Sequence, residues 1–209
     1  MPKIKLILFL FSLLPSLTYG STILVLGDSF SAGYGMKTEE GWVHLLSQEL
    51  EPEYRVINAS ISGDTTQGGL SRLPRLIELK NPDYVIIELG GNDGLRGQSL
   101  RSMQNNLDQM INLCIEKDIV PILFKMRIPP NYGKRYATAF EKVFTDLTLK
   151  HNTNAISFDF ESLISVPDYI QPDGIHPTAK AQDMIKDVVK ASIIPVSYTH
   201  LTLPTICSV

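Results

Sequence analysis

Short, almost unbroken apolar runs alternate along this chain with segments in which apolar residues recur every three or four positions. An apolar run of strand length is typical of a β-strand that is buried on both faces of a sheet. Runs of this kind predict strands at Thr22–Leu26, Tyr54–Ile57, Tyr84–Leu89, Ile119–Phe124 and Ala155–Phe158.

The segments with the longer period predict amphipathic helices. They cover Trp42–Leu50, Leu70–Leu79, Leu100–Cys114 with Ser99 as its N-cap, Ala139–Leu149 and Thr178–Ala191. Strands that alternate with helices indicate an α/β fold of three layers, in which helices cover both faces of a parallel five-stranded sheet. Ligands of such folds bind outside the carboxyl ends of the strands, so residues that directly follow a strand are the first candidates for a site.

The first 20 residues predict a secretory signal peptide and not a part of the fold. Lys3 and Lys5 form a short positive region, residues 6–14 are apolar, and cleavage is expected between Gly20 and Ser21. A transmembrane anchor is the alternative, but it needs an apolar stretch of roughly 20 residues. We therefore expect a periplasmic or secreted protein without stable membrane insertion after cleavage.

The other end of the chain also departs from the α/β pattern. Residues 196–209 (VSYTHLTLPTICSV) show neither helical nor strand periodicity and follow the natural end of the alternation. The sequence thus predicts one folded domain at residues 21–195, followed by a disordered or non-native tail.

Composition narrows the class of protein without naming a function. The chain of 209 residues is 44% hydrophobic and 20% charged, which is typical of a globular domain. Its formal net charge of −3 and the absence of a basic run argue against a nucleic-acid partner. Of the two cysteines, Cys114 lies on the apolar face of a predicted helix and Cys207 in the tail, so packing and not disulfides must stabilise the domain.

Three small polar turns follow the first three predicted strands. Ser29 lies in Gly27–Ser31, Gly63 in Asn58–Asp64 and Asn92 in Gly90–Gly94. A serine on a tight turn is accessible as a nucleophile if a base takes its proton. Gly63 lets a backbone N–H approach a ligand, and the side-chain amide of Asn92 could donate to an oxyanion. Each turn by itself is also compatible with a purely structural role.

A fourth motif precedes the last predicted helix. Asp173 and His176 are three positions apart on a turn, so the carboxylate can bond one imidazole nitrogen while the other nitrogen acts as a base. A metal site is the alternative, but one Asp and one His lack the further ligands of a closed site. His44 and His151 lie in or after helices and are expected to be surface or packing residues.

The four motifs together resemble those of the SGNH (GDSL-type) hydrolases. The resemblance extends from Thr22 to about Ala191, and its longer stretches (ILVLGDSFSAGYGM, VINASISGDTTQGGLSRLP, ELGGNDGLRG, MRIPPNYGKRY, DGIHP) are similar to the multifunctional periplasmic members of that family. It maps the four residues that name the family to Ser29, Gly63, Asn92 and His176.

The resemblance implies a flavodoxin-like sheet and no metal or cofactor. It also implies activity on acyl thioesters, aryl esters and lysophospholipids as small-molecule substrates. Ser29, Asp173 and His176 would be the catalytic residues, and Ser29, Gly63 and Asn92 would form the oxyanion hole.

Three other functions stay open at this point. A carbohydrate O-acetylesterase of the same family would use the same residues with a different pocket. A nucleotide-binding module would use Gly33 and Gly35, but the third glycine of a dinucleotide loop is missing. A non-catalytic adhesin could keep a hydrolase fold, because a fold alone does not fix a function.

Overall fold

The computed structural model describes residues 20–200, without the side chains of residues 130 and 194–200. Five strands form one parallel sheet: β1 (Ser21–Gly27), β2 (Tyr54–Asn58), β3 (Tyr84–Glu88), β4 (Val120–Lys125) and β5 (Asn154–Ser157). Each lies within two residues of its predicted position. The apolar runs located the strands correctly because the central strands are buried on both faces, and β3 is buried along its whole length.

The strand order is β2-β1-β3-β4-β5, and every neighbouring pair is parallel. This is the flavodoxin-like order, in which the chain starts in the sheet interior and changes direction between β1 and β3. Ligands of such folds bind at that switch point, outside the carboxyl ends of β1 and β3. The predicted α/β/α fold is therefore confirmed, and the turns that carry Ser29 and Asn92 follow these two strands.

Eight helices lie within the described residues. They are α1 (Ser29–Ala32), α2 (Trp42–Leu50), α3 (Thr66–Lys80), α4 (Gly91–Leu95), α5 (Leu100–Glu116), α6 (Lys134–His151), α7 (Phe160–Ser165) and α8 (Gln182–His200). Helices α3, α5 and α6 pack together on one face of the sheet, and α2 and α8 pack together on the other. The fully buried layer between helices and sheet includes Leu24, Ile86, Leu123, Trp42 and Phe140.

The structure adds three short helices that the apolar pattern did not predict, namely α1, α4 and α7. Each is 4 to 6 residues long, which is too short for a helical period to show in the sequence. Helix α6 also begins before its predicted start at Ala139, because its first turn contains Lys134 and Arg135 in place of apolar residues. Two of the missed helices, α1 and α4, begin at or next to candidate site residues.

The structure describes part of the predicted tail but none of the first 19 residues. Residues 1–19 of the predicted signal peptide and residues 201–209 of the predicted tail lie outside the described residues. Helix α8 runs past Ala191 to His200, so the backbone of residues 196–200 is helical. The limits of the domain and the origin of the tail stay predictions.

Cys114 is fully buried in the core, as its place on α5 predicted. Burial raises the pKa of its thiol to about 12, so the group is uncharged. Within residues 20–200, no helix combines the length and the apolar composition needed to cross a membrane.

Candidate active site

Ser29 lies directly after β1, as the first residue of α1. Asp28 caps this short helix, because its Oδ1 accepts the backbone N–H of Phe30 at 3.0 Å. Gly33 ends the helix at φ 74°, a left-handed conformation that glycine adopts without strain. The cap and the glycine confine α1 to a single turn, so the hydroxyl of Ser29 stays at the carboxyl edge of the sheet.

The structure brings His176 to Ser29 across 147 positions of sequence. The imidazole Nε2 lies 2.9 Å from Ser29 Oγ, and the Nδ1 lies 2.6 Å from Asp173 Oδ2. The other carboxylate oxygen of Asp173 accepts the backbone N–H groups of Ile175 at 2.9 Å and His176 at 3.0 Å. The three predicted residues thus form one continuous hydrogen-bonded chain from carboxylate to hydroxyl.

The hydrogen bonds around Asp173 keep it ionised. Partial burial of its carboxyl would raise the pKa, but the bonds from the backbone and the imidazole of His176 and from the Ile175 N–H outweigh burial. Together they lower the pKa of Asp173 to about 2. A charged acceptor at Nδ1 holds a proton on that nitrogen, which leaves Nε2 free to accept the proton of Ser29.

Gln171 holds the loop that carries His176, and sequence reasoning missed it. Its side-chain amide donates to the backbone carbonyls of Tyr34 at 2.7 Å and Pro177 at 2.9 Å, and its backbone N–H donates to His176 O at 2.8 Å. A Cβ on Gly35 would lie 2.4 Å from Gln171 Oε1, so a glycine is required there. One glutamine therefore joins the loop that carries His176 to the loop that follows Ser29.

Tyr34 lies between Gly33 and Gly35, both of which have left-handed φ angles. Its ring packs on the imidazole of His176 with centroids 4.5 Å apart and an interplanar angle of 38°. The two glycines considered above for a nucleotide loop thus position an aromatic ring at the histidine.

The side-chain amide of Asn92 connects the turns after β1, β2 and β3. Its Nδ2 donates to Asp28 Oδ2 and to the backbone carbonyl of Asp64, both at 2.9 Å. Gly63 precedes Asp64 and has a φ of 80°, which favours glycine. In the described part of the chain, no acceptor is bonded to the backbone N–H of Ser29 or of Gly63. Two backbone donors and one amide donor therefore lie on turns that are bonded to each other.

Two arginines that the sequence analysis did not single out stabilise these turns. Arg96 donates to the Gly63 carbonyl at 3.0 Å and lies 3.5 Å from Asn92 Oδ1. Arg72 forms a salt bridge with Asp64 at 2.6 Å and donates to the Ala59 carbonyl at 2.7 Å. Because arginine offers several donors in a fixed plane, each of them can fix two positions of a loop at once.

Asp28 is almost completely buried beneath the same turns, with 3% of its surface exposed. Burial raises the pKa of this carboxyl to about 6, although its bonds from Phe30 N–H and from Asn92 act in the opposite direction. Sequence reasoning treated Asp28 only as part of a turn. Its place between Gly27 and Ser29 could not show that its side chain points inward.

Residues 129–136, which lead into α6, lie beside the end of α4. The hydroxyl groups of Tyr132 and Tyr136 donate to the carbonyls of Leu95 at 3.0 Å and Gly94 at 3.2 Å. Lys134 and Arg135 line the adjacent groove. The groove beside α4 thus has aromatic and cationic side chains in its lining.

His44 and His151 take no part in this arrangement. His44 is half-buried in α2, and His151 Nε2 lies 2.6 Å from Asp108 Oδ1 at the end of α6. Among residues 20–200, no cluster of three or more His, Cys, Asp or Glu side chains could hold a metal ion.

Comparison with known proteins gives a consistent result. Residues 25–184 match the model of the GDSL-like Lipase/Acylhydrolase family. The chain is 44% identical to "Esterase TesA" of Pseudomonas aeruginosa, with 83% of this chain and 88% of that protein covered. It is 40% identical to "Thioesterase 1/protease 1/lysophospholipase L1" of Escherichia coli K12, and the match covers 83% of this chain and 84% of that protein.

A solved structure supports the same assignment. The psychrotrophic esterase EstA from Pseudoalteromonas, in a structure inhibited by monoethylphosphonate, superimposes with a TM-score of 0.81 at 41% identity. The match covers 85% of this chain and 99% of that one. The chain therefore belongs to the GDSL-like lipase/acylhydrolase family and is a serine hydrolase of carboxylic esters.

Proposed function

We propose that this protein is an exported esterase and thioesterase that forms an acyl-enzyme on Ser29. Its substrates in this proposal are lysophospholipids, thioesters such as acyl-CoA, and aryl esters. The names of its relatives include arylesterase, thioesterase and lysophospholipase. The observation that carries the proposal is the unbroken chain of hydrogen bonds from Asp173 through His176 to Ser29.

In the first step, His176 Nε2 takes the proton of Ser29 while Oγ attacks the acyl carbonyl carbon. The distance of 2.9 Å between these atoms suits proton transfer without a movement of the loop. Asp173 stays negative, holds the imidazole tautomer and stabilises the imidazolium that forms. The resulting tetrahedral intermediate carries its charge on the former carbonyl oxygen.

The oxyanion is stabilised by the backbone N–H groups of Ser29 and Gly63 and by the amide of Asn92. One hydrogen of the Asn92 amide stays on Asp28, which keeps the amide plane oriented. The other hydrogen, which donates to the Asp64 carbonyl in the free site, is shared with the oxyanion, which is the stronger acceptor because it is charged. Donors fixed in place before the reaction need little reorganisation in the transition state.

The intermediate then collapses, and His176 gives its proton to the departing alcohol or thiol. Water attacks the acyl group on Ser29 by the same route, with His176 again as the base, and the acid is released. Apart from the substrate and water, these steps use the side chains and backbone of this site. The site is assembled by the domain at residues 21–195, after export of the chain to the periplasm and cleavage of the signal peptide.

The direct test is covalent labelling with an alkyl fluorophosphonate. The wild type should gain the mass of one phosphonyl group, and peptide mapping should place it on Ser29, because only an activated serine displaces the fluoride rapidly. Ser29→Ala should gain no mass and should form no acyl-enzyme. Ser60→Ala, which removes another serine hydroxyl near the same edge of the sheet, is the matched control and should be labelled like the wild type. A wild type that stays unlabelled, or that is labelled elsewhere, would rule out Ser29 as the nucleophile.

A further inference from the structure

Glu88 is a carboxyl group in the core that the mechanism above does not use. It is the last residue of β3 and is completely buried, with 0% of its surface exposed. Its neighbours Ile86, Ile87 and Leu89 are all apolar and buried. A charge or an unpaired polar group at such a position is costly, so a glutamate here needs a specific reason.

The contacts of Glu88 indicate that reason. Its Oε2 accepts the backbone N–H of Asp28 at 3.2 Å and the hydroxyl of Ser31 at 2.6 Å. These two residues lie on either side of Ser29 in the turn that carries the nucleophile. A single buried oxygen thus bonds both flanks of that turn from below.

The local packing is arranged around this oxygen. A Cβ on Gly27 would lie 2.5 Å from Glu88 Oε2, so the carboxyl can reach the turn only because residue 27 is a glycine. The other oxygen, Oε1, is buried and has no hydrogen-bond partner among the described residues. Only one of the two oxygens therefore contributes contacts, and the group acts there as an acceptor.

The acceptor role does not need a negative charge. Burial raises the pKa of Glu88 well above its ordinary value, and the nearby carboxyl of Asp28 raises it further. A neutral carboxylic acid still offers its carbonyl oxygen to two donors. It also avoids a second negative charge beside Asp28.

We infer that Glu88 is a positioning residue for the hydrolase reaction and acts through the turn that carries Ser29. The inference rests on the proposed function, since it takes Ser29 as the nucleophile. Glu88 bonds the backbone of Asp28, and the side chain of Asp28 in turn bonds the amide of Asn92. One buried acceptor thereby sets the place of the nucleophile relative to an oxyanion donor.

Two substitutions of nearly equal size separate this role from simple packing. Glu88→Gln keeps a carbonyl oxygen for Asp28 N–H and Ser31 Oγ–H, so its kcat should stay within about 3-fold of wild type, the range of one weakened hydrogen bond. Glu88→Met fills the same space without an acceptor, so kcat should fall on the order of 10²-fold through misplacement of Ser29. KM should be unchanged in both, because neither change reaches the substrate.

The unfolding temperature distinguishes a positioning role from a purely structural one, because a structural role would lower it. In Glu88→Met the removal of a buried acid offsets the loss of two hydrogen bonds. The variant should therefore unfold close to the wild-type temperature although its kcat is low. Its rate of labelling by fluorophosphonate should fall together with kcat. A folded Glu88→Met with wild-type kcat would overturn the inference, and so would equal losses of kcat in Glu88→Gln and Glu88→Met.

Ser31→Ala decides the matter if Glu88→Met fails to fold. It removes one of the two contacts on an otherwise intact turn and should lower kcat about 2- to 10-fold at constant KM. Wild-type kcat in Ser31→Ala would then overturn the inference. Failure of the proposed function itself would look different, because the wild type would not be labelled at Ser29 at all.

Discussion

The two halves of the proposed active site are built in different ways. The nucleophile half, with Ser29 as the proposed nucleophile, rests on the buried ends of β1 and β3, and its acids Asp28 and Glu88 are 3% and 0% exposed. The base half, with His176 as the proposed base, lies on a long loop before α8, where the side chains of Asp173 and His176 are 37% and 20% exposed. The first half is fixed by the core, whereas the second is fixed by hydrogen bonds to its own backbone and to Gln171.

The two aspartates show what this difference does to the chemistry. Burial raises the pKa of Asp28 to about 6. Burial also acts to raise the pKa of Asp173, but several hydrogen bonds together outweigh it and lower that pKa to about 2. Asp173 is therefore a permanent anion suited to orient a base. Burial disfavours the charged form of Asp28, and the hydrogen bond from the Asn92 amide offsets part of that cost. The pKa values of two residues of the same type thus shift in opposite directions because their surroundings differ.

The largest effect is expected from Asp173→Asn, which alters the base half alone. The new amide keeps an oxygen for the backbone N–H groups of Ile175 and His176 but presents its NH₂ to imidazole Nδ1. This forces the proton onto Nε2, which can no longer accept the proton of Ser29, so kcat should fall on the order of 10⁴-fold.

Steady-state kinetics on an aryl ester measures this effect. Asp168→Asn is the matched control, because Asp168 lies near the same loop but pairs with Lys180 at 2.8 Å and not with the histidine. It should leave kcat unchanged. Nearly full activity in Asp173→Asn would mean that His176 does not depend on the carboxylate, and the comparison between the halves would fail.

A smaller loss is expected from Asn92→Ala in the nucleophile half. Removal of one donor to the oxyanion should lower kcat on the order of 10²–10³-fold with little change in KM, because the donor acts mainly in the transition state. Asn105→Ala, an exposed asparagine on α5, is the control for a simple loss of an amide. A variant in which KM rises while kcat stays constant would show that Asn92 binds the substrate in its ground state.

The sequence indicates one half of the proposed site more directly than the other. Asp173 and His176 form a local motif, since they are three positions apart and bond each other within one turn. Ser29, Gly63 and Asn92 were singled out because each follows a strand, and parallel strands place their carboxyl ends at one edge.

Asp28, Glu88, Arg96 and Gln171 could not be predicted in the same way. Their roles depend on contacts between residues far apart in sequence, such as Gln171 with Tyr34 across 137 positions and Asp28 with Asn92 across 64. Glu88 also lies in an apolar run, where the sequence indicates only a buried strand. The fold follows from local periodicity, but the support beneath the nucleophile becomes visible only when β1 and β3 are paired.

The smallest effect concerns the pH dependence of stability. Its sign should be opposite for Asp28 in the nucleophile half and for Asp173 in the base half. Asp28 has a folded pKa of about 6 against an ordinary value of 3.8, so the folded protein binds more protons than the unfolded chain between these values. Its ionisation should therefore cost the wild type about 3 kcal/mol of unfolding free energy as pH rises from about 4 to about 7. Asp28→Asn removes this titration, so the wild type should lose stability relative to the variant over that range.

Asp173 should behave in the reverse sense. Its folded pKa of about 2 lies below the ordinary 3.8, so its contribution is present above the higher value and is lost as pH falls between the two. The wild type should thus be more stable than Asp173→Asn at neutral pH, with a gap that closes in acid. Urea unfolding of the wild type and both variants across the pH series measures the two differences. Each subtraction cancels the groups whose titration the substitution leaves unchanged. A common sign for the two pH slopes would therefore contradict the view that burial sets the pKa of Asp28 and hydrogen bonding sets the pKa of Asp173.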